Sequence, residues 1–280
     1  MNIYDEVEYF YKRFQSRKCV YGKSVEGRPL FAMFIGKDEP PVGISQAAIH
    51  GREWITALLS LHHIERGLKK GGFWVLPLTN PDGALLSEIG ISTISQSRRN
   101  QLITLNGGYD FSLWKANAEG VDCNVNFDAR WGTGKKNIKV PAPENYIGEF
   151  PFSAPESLAL KEFTEKIRPD LTVSWHTKGE EIYWRFHQPL FRAMRDKKIA
   201  VNFSRAVDCP LREAKRSAGG YKDWCVEKLK IPAFTVEIGS DSLSHPIGRE
   251  HLSKLNQKYG LALRTLSEGY HGRKIHARGD

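Results

Sequence analysis

The run Gly43-Ile44-Ser45-Gln46-Ala47-Ala48-Ile49-His50-Gly51-Arg52-Glu53-Trp54 decides how the chain is read. Its first seven residues are uncharged and largely apolar, the pattern of a short strand buried on both faces. The run turns polar at His50, and residues 53–69 then carry Trp54, Ala57, Leu58, Leu61 and Ile64 at helical spacing before Gly71-Gly72. A histidine and a glutamate therefore stand three positions apart at a strand-to-helix corner. Zinc accepts neutral imidazole and carboxylate together, and a catalytic zinc needs three protein ligands with a fourth position left open. Alone, H-x-x-E is also how a solvated helix begins, so the metal reading needs a third ligand from elsewhere.

Working outward, helix and strand patterns alternate as they do in α/β folds. Residues 73–78 form a buried strand stopped by the turn sequence Asn80-Pro81-Asp82-Gly83. Upstream, residues 5–15 have Val7, Phe10 and Phe14 at helix spacing, and two strands flank the turn 25–29 with Leu30, Ala32 and Phe34 alternating inward. Downstream, helices are expected over 155–167, 189–207, 220–229 and 248–269, and strands over 170–175 and 233–238. The stretch 90–155 has little regular pattern and much Gly, Asn and Pro, and loops that long inside a compact domain are usually functional.

Composition bounds the alternatives. The 280 residues are 40% hydrophobic and 26% charged, which fits one globular domain and excludes disordered and fibrous classes. The formal charge is +9, but Lys and Arg are scattered among Asp and Glu, so an acidic, carboxylate-rich substrate is preferred to a nucleic acid. No apolar stretch reaches the roughly 18–20 residues of a membrane span, and no signal-peptide pattern opens the chain, so a cytoplasmic location is expected. Cys19, Cys123, Cys209 and Cys225 are widely spaced without a C-x-x-C pair, which favours reduced thiols.

Ligands converging on one ion usually project from one edge of an α/β sheet, so the third ligand should also follow a strand. His176 does, closing the apolar run 171–175 and opening the polar loop Thr177-Lys178-Gly179-Glu180. The remaining histidines read as core or surface residues. Glu237 lies within Phe234-Thr235-Val236-Glu237-Ile238-Gly239, an acid in an otherwise apolar strand. Burying that charge is costly unless it is paired or used, so it is either a general base or half of a buried ion pair.

Taken together, His50-x-x-Glu53, Asn80-Pro81-Asp82-Gly83, Gly120-Val121-Asp122-x-Asn124-x-Asn126-Phe127, His176 and Glu237 resemble the zinc carboxypeptidase family over nearly all of residues 21–269. The resemblance implies a single domain built on a mixed, twisted eight-stranded sheet flanked by helices. It implies one zinc ion on His50, Glu53 and His176, and zinc-activated water attacking a peptide carbonyl with Glu237 as general base. It divides the chain into a lead-in over 1–20, a catalytic domain over 21–270 and a basic tail over 271–280. Residue by residue, it makes Arg52 a substrate-binding arginine, Lys115 the cation that meets the oxyanion, and Asn124 a holder of a substrate carboxylate.

Two departures narrow the reading. Val125 stands where the family's ordinary members carry an arginine that grips the terminal carboxylate, which argues against a simple carboxypeptidase. No tyrosine stands in the loop before Gly219-Gly220, and Tyr221 takes over no role on sequence alone. Asn124-Val125-Asn126-Phe127 and the segment 176–184 resemble the bacterial γ-D-glutamyl-diamino acid peptidases, which cut peptidoglycan stem peptides. Such a substrate has several carboxylates and a free amine, so Lys178 or Arg216 is expected to meet a carboxylate and Glu180 the amine. Soluble muropeptides in the cytoplasm or a spore compartment are the expected substrate. A carboxypeptidase or amidohydrolase on other acidic peptides, such as polyglutamate, and a non-catalytic muropeptide-binding protein are the alternatives.

Overall fold

The structure is a computed structural model that describes residues 1–213 and 217–270. Arg216 and the basic tail lie outside the described residues. Among the described residues eight strands form one sheet: β1 (Lys18–Lys23), β2 (Pro29–Gly36), β3 (Val42–Ala47), β4 (Gly72–Leu76), β5 (Leu171–Thr177), β6 (Glu181–Tyr183), β7 (Leu211–Arg212) and β8 (Ala233–Ile238). Their spatial order is β1-β2-β4-β3-β5-β8-β6-β7. The central four, β4-β3-β5-β8, are parallel, and β1, β2 and β6 pair antiparallel around them. The sheet is therefore mixed, as the resemblance implied.

Both faces are covered, which is why the central strands read as unbroken apolar runs. Helices α1 (Ile3–Arg13), α2 (Ile55–Arg66), α6 (Leu190–Val207), α8 (Leu252–Tyr259) and α9 (Ala262–Glu268) bury one face around Val75, Val173, Trp175 and Phe234. On the other face α5 (Pro155–Ile167) and α7 (Tyr221–Trp224) cover Ile44, Trp74 and Ala233 together with Phe127. A third cluster, around Trp114 and Phe111, packs under α3 (Pro81–Glu88) and α4 (Gln96–Asn106).

Several sequence expectations change. Leu30 to Ile35 are buried on both faces, with Ala32 and Phe34 in one core and Phe31, Met33 and Ile35 in the other, so β2 is an interior strand. The Asn80-Pro81-Asp82-Gly83 run does not merely stop a strand. Asn80 caps α3 by accepting from the Gly83 amide at 2.9 Å, and Pro81 takes the first helical turn, where its missing N–H costs nothing. The helix expected to begin at Glu53 opens as a 3-10 turn (Gly51–Glu53) before α2, which stops at Gly67, where φ is +56°. The closing helix is two, because α8 packs on α2 and α9 on α6, and the chain must redirect at Gly260.

The strand order reverses beside β3: the chain passes through α2 to β4 on one side, while β5 adds on the other. In open parallel sheets the crevice at such a reversal, beyond the strands' carboxyl ends, is where ligands bind. His50 and His176 lie at the carboxyl ends of these two strands.

Candidate active site

Several contacts fix the chain between β3 and His50. Ala48 adopts a φ of +49°, and its amide donates to Thr56 Oγ1 at 2.9 Å while Thr56 donates to the Glu53 carbonyl at 2.8 Å. Asn80 Nδ2 donates to the carbonyls of Ile49 at 3.2 Å and Ala116 at 3.0 Å, so the α3 cap also ties the His50 segment to the loop carrying Lys115. The Gly51 amide donates to the Lys115 carbonyl at 2.9 Å. A Cβ on Gly51 would lie 2.4 Å from the Gly83 carbonyl oxygen and 2.8 Å from that of Trp114, so only glycine allows this approach.

From this corner His50 and Glu53 face His176 at the end of β5. His50 Nδ1 lies 2.8 Å from Glu53 Oε1, His176 Nδ1 lies 2.9 Å from Glu53 Oε2, and the two Nδ1 atoms are 3.2 Å apart. All three side chains are buried, and their ligand atoms lie within 4.8 Å of one another. Burial alone would push the Glu53 carboxyl up, but the two imidazoles outweigh it and hold it well below the usual carboxylate range. Lone pairs of two imidazole nitrogens and a carboxylate thus point at one dry spot, where mutual hydrogen bonding cannot satisfy them all. Two nitrogens, one carboxylate and an open side form the donor set of a single catalytic zinc ion, and the residues fit it.

Behind the cluster stands Asp122, which the sequence motif contained without a role, paired with Lys115. Asp122, fully buried, places Oδ1 3.3 Å from His50 Nε2 and Oδ2 2.7 Å from Lys115 Nζ, and accepts the amides of Asn124 and Asn145 at 3.1 Å each. Burial would raise its carboxyl, but Lys115 and His50 together hold it far below the ordinary range. A carboxylate on the outer nitrogen of a metal-facing imidazole fixes the tautomer and the ring. Its signal in the sequence was the Asp122-x-Asn124 spacing, here an Asp side chain accepting the amide two residues on.

Glu237 is the β8 ladder partner of His176, so the two side chains share a sheet face. Its carboxyl has no hydrogen bond or ion pair with any described residue, so the buried ion-pair alternative is not what the fold built. Crowding by protein, with Glu53 adding to it against the opposing His176, raises its carboxyl to about 7.

The other expected positions divide. Arg52 turns to the loop before α5, its Nη1 lying 3.3 Å from the Leu113 carbonyl and 3.3 Å from Glu144. Asn124 accepts the Tyr221 amide at 3.2 Å, and Lys178 donates to the Asp241 carbonyl at 2.6 Å. Glu180 is not brought to the cluster: it pairs with Lys258 of α8 at 3.0 Å. Tyr221 is a core residue, its hydroxyl 2.9 Å from Thr164 Oγ1.

A family model for zinc carboxypeptidases matches residues 3–262. The γ-D-glutamyl-L-diamino acid endopeptidase 1 of Lysinibacillus sphaericus is 31% identical over 246 residues, 81% of this chain and 61% of that protein. The chain thus spans about three-fifths of that relative's length. Among solved structures, bovine thrombin-activatable fibrinolysis inhibitor shares the fold with a TM-score of 0.76 at 18% identity, covering 96% of each chain. The murein-tripeptide amidase MpaA from Escherichia coli O157 does so with a TM-score of 0.62 at 23% identity, over 95% of this chain and 97% of that one.

Proposed function

The chain belongs to the zinc carboxypeptidase family, and from that premise we propose that it hydrolyses the γ-D-glutamyl-diamino acid bond of peptidoglycan stem peptides. The observation that carries the reading is the convergence of His50, Glu53 and His176 on one point beside the unpaired carboxyl of Glu237. The diamino acid substrate is supported by the name of the Lysinibacillus relative and by Val125, which removes the usual grip on a terminal carboxylate. The same reading puts the reaction on soluble wall fragments, in the cytoplasm or a spore compartment.

When bound by His50, Glu53 and His176, zinc supplies Lewis acidity to a carbonyl and eases the ionisation of water. Glu237 takes a proton from the attacking water and delivers it to the leaving amine, a task suited to a carboxyl that stands beside His176 with no ion-pair partner of its own. Lys115 stays cationic because Asp122 outweighs the effect of its burial, and its N–H groups not used by Asp122 meet the negative charge that develops on the carbonyl oxygen. Asp122 holds both His50 and Lys115 and is a positioning residue. Arg52 and Asn124 take substrate carbonyl or carboxylate groups, with Lys178 and Arg216 as further cations.

The test is to incubate the zinc-loaded protein and a Glu237→Gln variant with L-Ala-γ-D-Glu-meso-diaminopimelate and identify products by mass spectrometry. Free diaminopimelate should appear with the parent and be lost with the variant. An intact tripeptide, with zinc shown to be bound, refutes the substrate.

A further inference from the structure

The ladder register extends the site beyond Glu237. His176 on β5, Glu237 on β8 and Glu181 on β6 are successive partners, so their side chains form one row on one face of the sheet. Tyr183, two residues on, shares that face and is the partner of Thr235 on β8 and Arg212 on β7. Glu181 Oε2 accepts from Arg212 Nε at 3.0 Å, and its Oε1 accepts from the Tyr183 hydroxyl. Only the Nε of Arg212 is engaged; its two terminal amino groups have no partner among the described residues, and the side chain is 57% exposed.

Two carboxylates directly opposite across an antiparallel pair repel each other; Arg212 and the Tyr183 hydroxyl offset this on the Glu181 side, while the Glu237 carboxyl has no cation paired with it among the described residues. A ligand cation beside Glu181 relieves the repulsion, and the free edge of Arg212 offers a two-pronged seat for a ligand carboxylate next to it. A group with an ammonium and a carboxylate on one carbon at the end of an alkyl chain matches both. Glu180, the acid that sequence alone suggested, pairs with Lys258 of α8 and has no place in this row, whereas Glu181 is the ladder partner of Glu237.

We propose that Glu181 and Arg212 form the specificity subsite for the side-chain end of the leaving diamino acid, with its ammonium on Glu181 and its distal carboxylate on Arg212. The inference rests on the peptidase reading above. Lysine, which lacks the distal carboxylate, uses Glu181 alone; norleucine, which lacks both groups, uses neither.

The experiment measures kcat/KM for L-Ala-γ-D-Glu-X, with X as meso-diaminopimelate, L-lysine or L-norleucine, for the parent, Glu181→Gln and Arg212→Gln. Ratios between substrates are independent of how much of each variant is folded and active. Glu181→Gln should lower the lysine-to-norleucine ratio about 10- to 100-fold, the scale of a hydrogen-bonded charge. Arg212→Gln should lower the diaminopimelate-to-lysine ratio by about 3- to 5-fold, less because the guanidinium is half in water. Cleavage of the diamino peptides with both ratios within twofold of the parent overturns the subsite and leaves the peptidase reading standing. Failure of the zinc-loaded parent to cleave any of the three overturns both.

Discussion

Replacing Asp122 by asparagine removes one charge and puts a donor among donors. The native carboxylate faces Lys115 Nζ at 2.7 Å, His50 Nε2 at 3.3 Å and two backbone amides at 3.1 Å, so its two oxygens meet four donors. An amide nitrogen in either position confronts two of them. The Lys115 ammonium is left largely buried without its counter-ion, and breaking such a pair costs about 3–5 kcal/mol of stability. His50 loses the group that fixes its tautomer, and outer-shell changes of this kind cost about 10- to 100-fold in metal affinity. Urea unfolding of the metal-free protein reads the first effect, and zinc titration against a competing chelator reads the second. Adding Lys115→Met separates them: with both partners gone, most of the stability should return, while zinc affinity stays low. A folded Asp122→Asn protein that binds zinc within threefold of the parent refutes the positioning role.

Three further outcomes follow from the same contacts. Gly51→Ala pushes a methyl group against the Gly83 and Trp114 carbonyl oxygens; overpacking of this kind costs about 1–3 kcal/mol, and activity should fall with it, whereas a melting temperature unchanged within a degree would show that the corner has slack. The Glu156 carboxyl is raised from 4.5 to about 7 by burial, with Asp82 adding to it. The folded state therefore holds that proton more tightly than the unfolded chain, and the corresponding stability is complete below about pH 4.5 and lost as pH rises through 7. It amounts to about 3 kcal/mol; the difference in unfolding free energy between the parent and Glu156→Gln should show that fall, and a flat difference from pH 4.5 to 8 contradicts it. Phe127→Ala, emptying a fully buried ring between Tyr221, Trp224 and Phe152, should cost about 3–5 kcal/mol in urea unfolding, and a loss below 1 kcal/mol would mean the core refills.

The strands that carry the site were legible because burial on both faces leaves a continuous apolar run: β3 before His50, β5 before His176 and β8 around Glu237 each stand out without knowledge of their neighbours. What escaped depends on tertiary context. β6 and β7 are three and two residues long and have no pattern of their own. Since a one-residue shift turns a strand side chain to the opposite face, the choice between Glu180 and Glu181 could not be made without the ladder to β8. Helix α4 buries only Leu102 and so lacks an apolar stripe. Asn80-Pro81 suits both a turn and a helix start, and only the contacts of Asn80 with Ile49 and Ala116 reveal that it braces the metal corner. Asp122 was in view as part of a motif, but its double hold on His50 and Lys115 joins residues that are far apart in sequence.

The account turns on a metal at one place, bound through one nitrogen of each ring. Crystals of the zinc-loaded protein, with diffraction data collected on both sides of the zinc absorption edge, test this most directly. One anomalous peak per chain is expected, within bonding distance of His50 Nδ1, His176 Nδ1 and a Glu53 carboxylate oxygen. A peak bound through Nε2 of either ring, or one away from these three residues, would contradict it.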